Sequence, residues 1–486
     1  MFKKLFAILL ILFLSSCTIY VQPSSNNIEE DVIQNLTIFT INDLHGALEE
    51  KDAKGFAYIS GYIEEYKENY DGEVIFVANG DILQGTALSY LSFGATVIEA
   101  LNLASLDAFT IGNHEFDWGI EVIESFVDGS NDFEVKANFP FLGANIYEKS
   151  TNQRLDFLEP YTIINKGDIS IGIIGVIGER LEGSISPSRV NPYEFVDPIP
   201  LIKDITRDLR VNKNVDTVIV MTHDATTSFN NEIKSLSGDY VIDALINGHT
   251  HYEYANHESR SGYANLPIIQ SGANGNYLGR ITLEINLTKN KVLSSSVNNL
   301  NVRNLYYDGS PNQIVKDYID EEVNRVDPIV NELIGHAART IYTSDALVWA
   351  ANVIKKATNA DIAFINSGSF RNQAFPVNSN EEITYGVLFE MMPFDNIIKT
   401  TKIKGIYLQQ FMDLTKDGMI YDSDFKGIDT SKTYTIATVD FVFDKSYNPF
   451  LYYGDDTQNT QIFIRDILRD DIKSFTDKGL HWDPYK

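Results

Sequence analysis

The stretch Leu36-Thr37-Ile38-Phe39-Thr40-Ile41 runs directly into Asn42-Asp43-Leu44-His45-Gly46. A short apolar run rich in β-branched residues reads as a buried strand, and the Asn, Asp and Gly after it read as its loop. The same construction recurs. Residues 73–78 (EVIFVA) lead into Asn79-Gly80-Asp81, and residues 106–111 (LDAFTI) into Gly112-Asn113-His114-Glu115-Phe116-Asp117. Residues 216–221 (DTVIVM) lead into Thr222-His223-Asp224, and residues 240–246 (YVIDALI) into Asn247-Gly248-His249-Thr250-His251. Helical patterns at 95–103, 119–127 and 198–210 lie between these runs, and further strand-like runs stand at 169–177 and 281–287. Strands alternating with helices predict an α/β sheet core up to about residue 300.

Five of the eight histidines fall in these five loops. Loops at the carboxyl ends of sheet strands converge on one crevice, and their glycines let backbones approach closely. Asp, Asn and His together offer the oxygen and imidazole donors of a two-metal site. Asp43-x-His45 or Gly80-Asp81 alone occurs in many loops. GNHEFD is far more specific, GHTH moderately so, and the five in order after strand-like runs are poorly explained by chance.

The chain has 486 residues, 44% hydrophobic and 22% charged, which is ordinary globular composition and enough for two or three domains. Disordered, collagen-like and multispan membrane classes are excluded. With 39 basic and 67 acidic residues the net charge is −28, which disfavours a nucleic-acid polymer as partner. A phosphate-bearing ligand would need a local positive centre. The single Cys excludes an intrachain disulfide and a Cys-based zinc site.

The five blocks resemble the calcineurin-like metallophosphoesterases, and NDLHG, GNHEFDWG and a second domain behind them resemble the bacterial 5′-nucleotidase family. The resemblance covers nearly the whole chain and is stronger over 36–285. It implies a four-layer β-sandwich flanked by helices (35–305), a linking helix (306–330) and a smaller α/β substrate-binding domain (331–486). Carried over by position, it implies one metal on Asp43, His45, Asp81 and His251, and another on Asp81, Asn113, His223 and His249. Asp81 would bridge. An activated water would be the nucleophile. His114, its tautomer fixed by Asp117, would face the transferring phosphoryl group as stabiliser and acid. The two divalent ions are left open among Zn, Mn, Fe and Co.

In the second part, helices are predicted at 345–357, 404–415 and 459–475 and strands at 361–366 and 433–443. A linking helix is read between Pro311 and Pro328 from the apolar face of Ile314, Val315, Tyr318, Ile319, Val323 and Val326. Asn366-Ser367-Gly368-Ser369-Phe370-Arg371 resembles the family's Asn-Gly-Gly-Gly-x-Arg, which implies substrate binding by Asn366 and Arg371. Phe394 and Phe441 would sandwich a base. Two departures stand out. The family's Gly-Gly-Asp after Phe441 is absent, and an upstream arginine segment is replaced by Ala338-Arg339-Thr340, leaving Arg339 as a substitute. His257, His336 and His481 are read as ordinary residues.

The N-terminus reads MFKKLFAILLILFLSS, a basic start and a short apolar run, then Cys17. This is a secretory signal at 1–16 followed by a lipobox-like Leu14-Ser15-Ser16-Cys17, predicting a lipidated Cys17 and a polar tether to residue 34. The sequence thus predicts an exported hydrolase, lipid-anchored to the outer face of a bacterial membrane, with no other membrane segment. It would remove phosphate from nucleotides as a 5′-nucleotidase or UDP-sugar hydrolase does. The alternatives are a 2′,3′-cyclic-nucleotide phosphodiesterase and a non-catalytic surface binding protein on the same fold. The resemblance further implies that the second domain rotates between open and closed forms. Oligomeric state is not set by the sequence.

Overall fold

The computed structural model describes residues 31–486. The predicted signal peptide, the lipidation site Cys17 and most of the tether lie outside the described residues.

The N-terminal half is built on two six-stranded sheets. In the first, strands Ile33–Ile41, Glu73–Asn79, Ala108–Thr110 and Phe141–Leu142 run parallel, and Tyr277–Asn286 and Lys291–Asn301 add an antiparallel edge beside Ile33–Ile41. In the second, Ile169–Ile177, Thr217–His223, Ala244–Ile246 and Leu266–Ser271 are parallel, with antiparallel Tyr161–Lys166 and Glu253–Glu258 at the edges. Leu36, Ile38, Ile75, Val77, Ile171, Ile219 and Ile269 form the core between the sheets. Alternate residues of the same strands face outward under helices. Phe39 and Phe76 meet helices Phe56–Asn69 and Ala95–Leu103, while Val218 and Val220 meet helix Pro198–Arg207. Both faces of each central strand are therefore apolar, as parallel sheets require, and the result is the expected four-layer order of helix, sheet, sheet, helix.

Helix Gln313–Val330 begins at Asn312, whose side chain accepts hydrogen bonds from the backbone nitrogens of Ile314 and Val315. Val315, Ile319 and Val326 pack into the first core, so this connecting helix belongs structurally to the N-terminal half. It does not end at Pro328 as predicted but runs two residues further. Pro328 has no N–H for the Asn324 carbonyl, and the helix ends two residues after it.

The C-terminal half carries a five-stranded sheet in the order Met419–Tyr421, Ile362–Asn366, Thr433–Val439, Ile397–Lys404, Asp455–Phe463. Helices Thr343–Thr358 and Ile464–Thr476 cover it, and Trp349 meets Trp482 edge-on at 4.6 Å. Two predicted boundaries shift. Residues 459–463 are the end of an exposed edge strand rather than helix, and the strand predicted to 443 ends at Val439, giving way to the one-turn helix Asp440–Phe443. Likewise only Ala244–Ile246 of the run 240–246 is strand.

Candidate active site

All five loops singled out in the sequence meet where the parallel strands of the two sheets end. Their side chains form two clusters, Asp43, His45 and His251, and Asp81, His223 and His249; in each cluster the ligand-type atoms lie within 4.8 Å of one another.

The backbone here is unusual. Asp43 (φ 49), His45 (φ 52), Asp81 (φ 54), His249 (φ 76) and His251 (φ 60) all occupy the left-handed region. For residues with a Cβ this conformation costs energy and persists only where the surroundings enforce it. Each turn swings a donor side chain inward at the tip of a strand. Gly80 (φ 71) is required twice over, since a Cβ there would stand 2.3 Å from His223 Nδ1.

Hydrogen bonds fix the rings. His45 Nδ1 donates to the Gln84 carbonyl at 3.0 Å and His223 Nδ1 to the Asn79 carbonyl at 3.2 Å. A carbonyl can only accept, so each ring presents an unprotonated Nε2 to the cluster when neutral. Burial, with the positive field of His114, pushes His45 down to about 3. His45 Nε2 then faces His251 Nε2 at 3.0 Å, and His249 Nδ1 faces Asn113 Oδ1 at 2.9 Å. Asp43 Oδ2 accepts from Asn42 Nδ2 and from the His249 backbone nitrogen, whereas buried Asp43 Oδ1 has no hydrogen-bond partner. Buried His223 Nε2 is likewise unpaired; it lies 3.0 Å from Asp81 Oδ2, but not along a hydrogen-bonding direction. Burial opposes ionisation of Asp81, yet the charge fields of His223 and His114 hold it well below the carboxylate range. Burial opposes a charge on His223, but the carboxylate of Asp81 lifts it to about 10. Imidazole nitrogens and carboxylate oxygens crowded in this way are the donor types that hold divalent cations. Asn113 joins the second cluster through His249. Asp81 falls in that second cluster too.

His114 stands beside the clusters. Its backbone nitrogen donates to Asp81 Oδ1 at 2.8 Å, and its Nδ1 lies 2.7 Å from Asp117 Oδ2. Burial works against a charge on this ring, but the carboxylates of Asp117 and Asp81 outweigh it and lift the imidazolium to about 9. A protonated Nε2 is therefore available for an anionic oxygen.

A cavity of 830 Å³ opens from these residues between the two halves. Asn366, Arg371, Phe394 and Phe441 all line it. The Arg371 guanidinium lies 4.9 Å over the Phe394 ring, and its side chain makes no hydrogen bond or ion pair among the described residues. Phe394 in turn lies near-parallel to His114, with centroids 6.3 Å apart. One face of Phe441 is capped by the Lys445 ammonium at 4.1 Å, which also donates to the Gly183 carbonyl at 2.6 Å. The Asn366 side-chain oxygen accepts from Ser369 Oγ at 2.7 Å. Arg339 is not brought to the site. It pairs with Asp483 at 3.3 Å and stacks on Tyr485, so the substitution suggested by the sequence is not made. His257 bonds Ser295 on the surface, and His336 stacks on His481, both away from the cavity.

The sequence pattern gives Glu115 no role, but the fold gives it a positioning one. Its buried carboxylate accepts from the backbone nitrogens of Asp81 (2.9 Å), Ile82 (2.9 Å), Leu83 (3.3 Å) and Gly112 (2.7 Å). It ties the Asp81 loop to the Asn113 loop. Its signal was its place inside GNHEFD, an acid between two residues that were assigned.

Residues 36–253 match the family described as calcineurin-like phosphoesterase, and residues 336–423 match the 5′-nucleotidase C-terminal domain. Endonuclease YhcR of Bacillus subtilis is 27% identical over 412 residues, 78% of this chain, and the chain spans only 32% of that protein's length. A 5′-nucleotidase of Vibrio cholerae is 25% identical over 430 residues, covering 78% of this chain and 75% of the relative. The crystal structure of a 5′-nucleotidase precursor from Thermus thermophilus superposes with a TM-score of 0.71 at 18% identity, over 90% of this chain and 96% of the other, a likeness of fold. The two-sheet sandwich, the clustered Asp and His loops and the second α/β unit thus have one common account: residues 36–253 form a calcineurin-like phosphoesterase domain, and a 5′-nucleotidase C-terminal domain follows it at 336–423.

Proposed function

We propose that this chain is an extracytoplasmic phosphohydrolase that removes phosphate from nucleotides, with two divalent ions held by Asp43, His45, Asp81 and His251 and by Asp81, Asn113, His223 and His249. The observation that carries this reading is one juxtaposition. The two donor clusters, the His114–Asp117 pair and Arg371, which makes no hydrogen bond or ion pair among the described residues, border one cavity that Phe394 and Phe441 also line. When bound, such ions polarise a phosphoryl group and lower the pKa of a water so that it attacks phosphorus in line.

The chain's own groups supply the rest. His114, kept protonated by Asp117, donates from Nε2 to a phosphoryl oxygen as charge builds there, and can pass its proton to the leaving oxygen. Arg371 faces the same region from the other half, and its planar fork suits two phosphate oxygens. Phe394 and Phe441 offer ring faces to a base, in which case Arg371 and Lys445 reinforce the outer faces. Because phosphate and base are held by different halves, the proposed division into 35–305, 306–330 and 331–486 makes closure of the second domain part of turnover. Among the described residues no helix is long and apolar enough to cross a membrane. Export and anchoring are proposed from residues 1–17 alone.

The test is hydrolysis of AMP, ADP, UDP-glucose and 2′,3′-cyclic AMP side by side, with added Mn²⁺, in wild type and His114→Ala, each product being identified by chromatography and phosphate assayed separately. Turnover of the 5′-nucleotides that His114→Ala abolishes supports the reading. Turnover confined to the cyclic substrate favours the phosphodiesterase. Binding without turnover in wild type favours a non-catalytic binding protein.

A further inference from the structure

Strand Leu266–Ser271 runs parallel to Ala244–Ile246 and ends at the same crevice, yet it delivers no Asp or His there. Its end carries Gln270-Ser271-Gly272 instead, and Gln270 is fully buried. Two side-chain amides, those of Gln270 and Asn42, tie this segment to the first donor cluster.

The Asn42 side chain is completely satisfied. Its Oδ1 accepts from the Ser271 backbone nitrogen at 2.7 Å, and its Nδ2 donates to the Gly272 carbonyl at 2.8 Å and to Asp43 Oδ2 at 2.7 Å. A backbone N–H can only donate and a carbonyl can only accept. The amide therefore has one orientation, which turns its second hydrogen to Asp43. The His249 backbone nitrogen donates to the same Asp43 Oδ2 at 3.0 Å. Two donors thus cap one carboxylate oxygen. The other, Oδ1, has no hydrogen-bond partner among the described residues and lies 3.3 Å from His251 Nε2. A carboxylate held in this way offers a cation one oxygen rather than two.

Gln270 acts on the opposite ligand. Its Nε2 donates to the Tyr252 carbonyl at 2.7 Å and to Thr250 Oγ1 at 2.8 Å, and its Oε1 accepts from Thr250 Oγ1 at 3.0 Å. Thr250 and Tyr252 are the two chain neighbours of His251, whose own backbone is left-handed. One buried amide grips the chain on both sides of a strained turn. The second cluster is oriented from elsewhere: the Asn79 carbonyl holds the His223 ring, and Glu115 holds the Asp81 backbone.

We propose that Asn42 and Gln270 are positioning residues for the Asp43–His45–His251 cluster, both anchored on segment 270–272. Asn42 restricts Asp43 to ligation through Oδ1, and Gln270 holds the His251 turn against the ion. The inference deepens the two-ion reading above and rests on it.

The experiment titrates Mn²⁺ into the chelated protein by calorimetry, in wild type, Gln270→Met and Asn42→Ala. His251→Ala marks which binding event belongs to the first cluster, and elemental analysis counts ions per chain. Gln270→Met keeps the buried volume, and the Tyr252 carbonyl retains the Gly272 backbone nitrogen at 3.2 Å. The expected result in both variants is a loss of about 10–100-fold in affinity at the first cluster and at most about threefold at the second. Melting of metal-free Gln270→Met should match that of metal-free wild type. A merely structural role would instead lower that melting temperature and weaken both binding events alike, which overturns the proposal. If Asn42→Ala does not fold, Gln270→Met decides alone. Wild type that binds two ions, with variants of unaltered affinity, overturns the positioning role and leaves the two-ion reading standing. Wild type that binds fewer than two overturns both.

Discussion

Gln84 Nε2 donates to the Pro393 carbonyl at 2.6 Å, inside the protein, joining the two halves beside the site. The carbonyl of the same Gln84 accepts from His45 Nδ1. One residue therefore orients a proposed metal ligand through its backbone and grips the C-terminal half through its side chain. Nearby, Tyr90 donates to Asp395 at 2.8 Å, and Arg465 holds the same carboxylate oxygen at 2.7 Å.

Gln84→Ala removes the side-chain grip and leaves the carbonyl contact to His45 intact. A hydrogen bond of about 1 kcal/mol corresponds to about a fivefold effect on a closing equilibrium. The expected outcome is a severalfold rise in KM for nucleotides with unchanged metal content, read by steady-state kinetics alongside elemental analysis.

Chelation is expected to abolish phosphate release, and a divalent ion to restore it. Asp81→Ala should be the most damaging ligand change, lowering kcat/KM on the order of a thousandfold or more, because several kcal/mol of transition-state stabilisation go with the ions. Full activity after metal analysis shows both ions gone would refute the mechanism.

Glu115→Ala leaves four buried backbone nitrogens without their acceptor. At about 1–3 kcal/mol for each buried group left unpaired, the loss of stability should reach several kcal/mol, while Glu115→Gln, which keeps one carbonyl oxygen, should lose less. Chemical denaturation of the two variants measures the difference.

Burial raises the Asp440 carboxyl to about 6, although it accepts from the backbone nitrogens of Phe441 and Ile397. The folded protein therefore binds this proton more tightly than the unfolded chain does. Stability from this group is greatest below about pH 4 and falls as pH rises to about 6, where the cost of a buried charge is complete. Asp440→Asn keeps an oxygen for the same nitrogens. It should stabilise by about 1–3 kcal/mol at pH 7.5, with the gain vanishing near pH 4. Thermal melts across that range test the sign.

Cys17→Ala is expected to move the protein from the membrane fraction to the aqueous fraction, or to leave it unprocessed. Detergent phase partitioning and mass spectrometry of the N-terminus read both outcomes. A wild-type protein that is aqueous and carries no lipid contradicts the anchor.

The core strands were legible because parallel strands are apolar on both faces, which leaves unbroken runs such as 36–41 and 216–221. Residues 459–463 misled for the opposite reason. Asn459, Gln461 and Phe463 are exposed on an edge strand whose inward residues Thr460 and Ile462 are only half-buried, so its alternation is faint, and the helical period of Ile464–Thr476 extends backward into them on paper only. At the site, the metal-ligand types announced themselves because Asp and His carry chemistry in their side chains. Glu115 and Gln84 did not, because they act on backbone groups, and such bonds leave no spacing pattern. The left-handed turns were hidden too, since the residues adopting them are not glycine. Tyr90, Asp395 and Arg465 meet only through the fold.

The left-handed conformations of Asp43, His45, Asp81, His249 and His251 also bear on how such a protein can change. Glycine would relax each of these turns, yet at each one it would delete a donor. Selection for heat resistance alone should therefore enrich glycine at these positions, and the survivors should be sturdier and inert. Variants recovered under joint selection for turnover should instead accumulate their stabilising changes elsewhere, away from the strand ends.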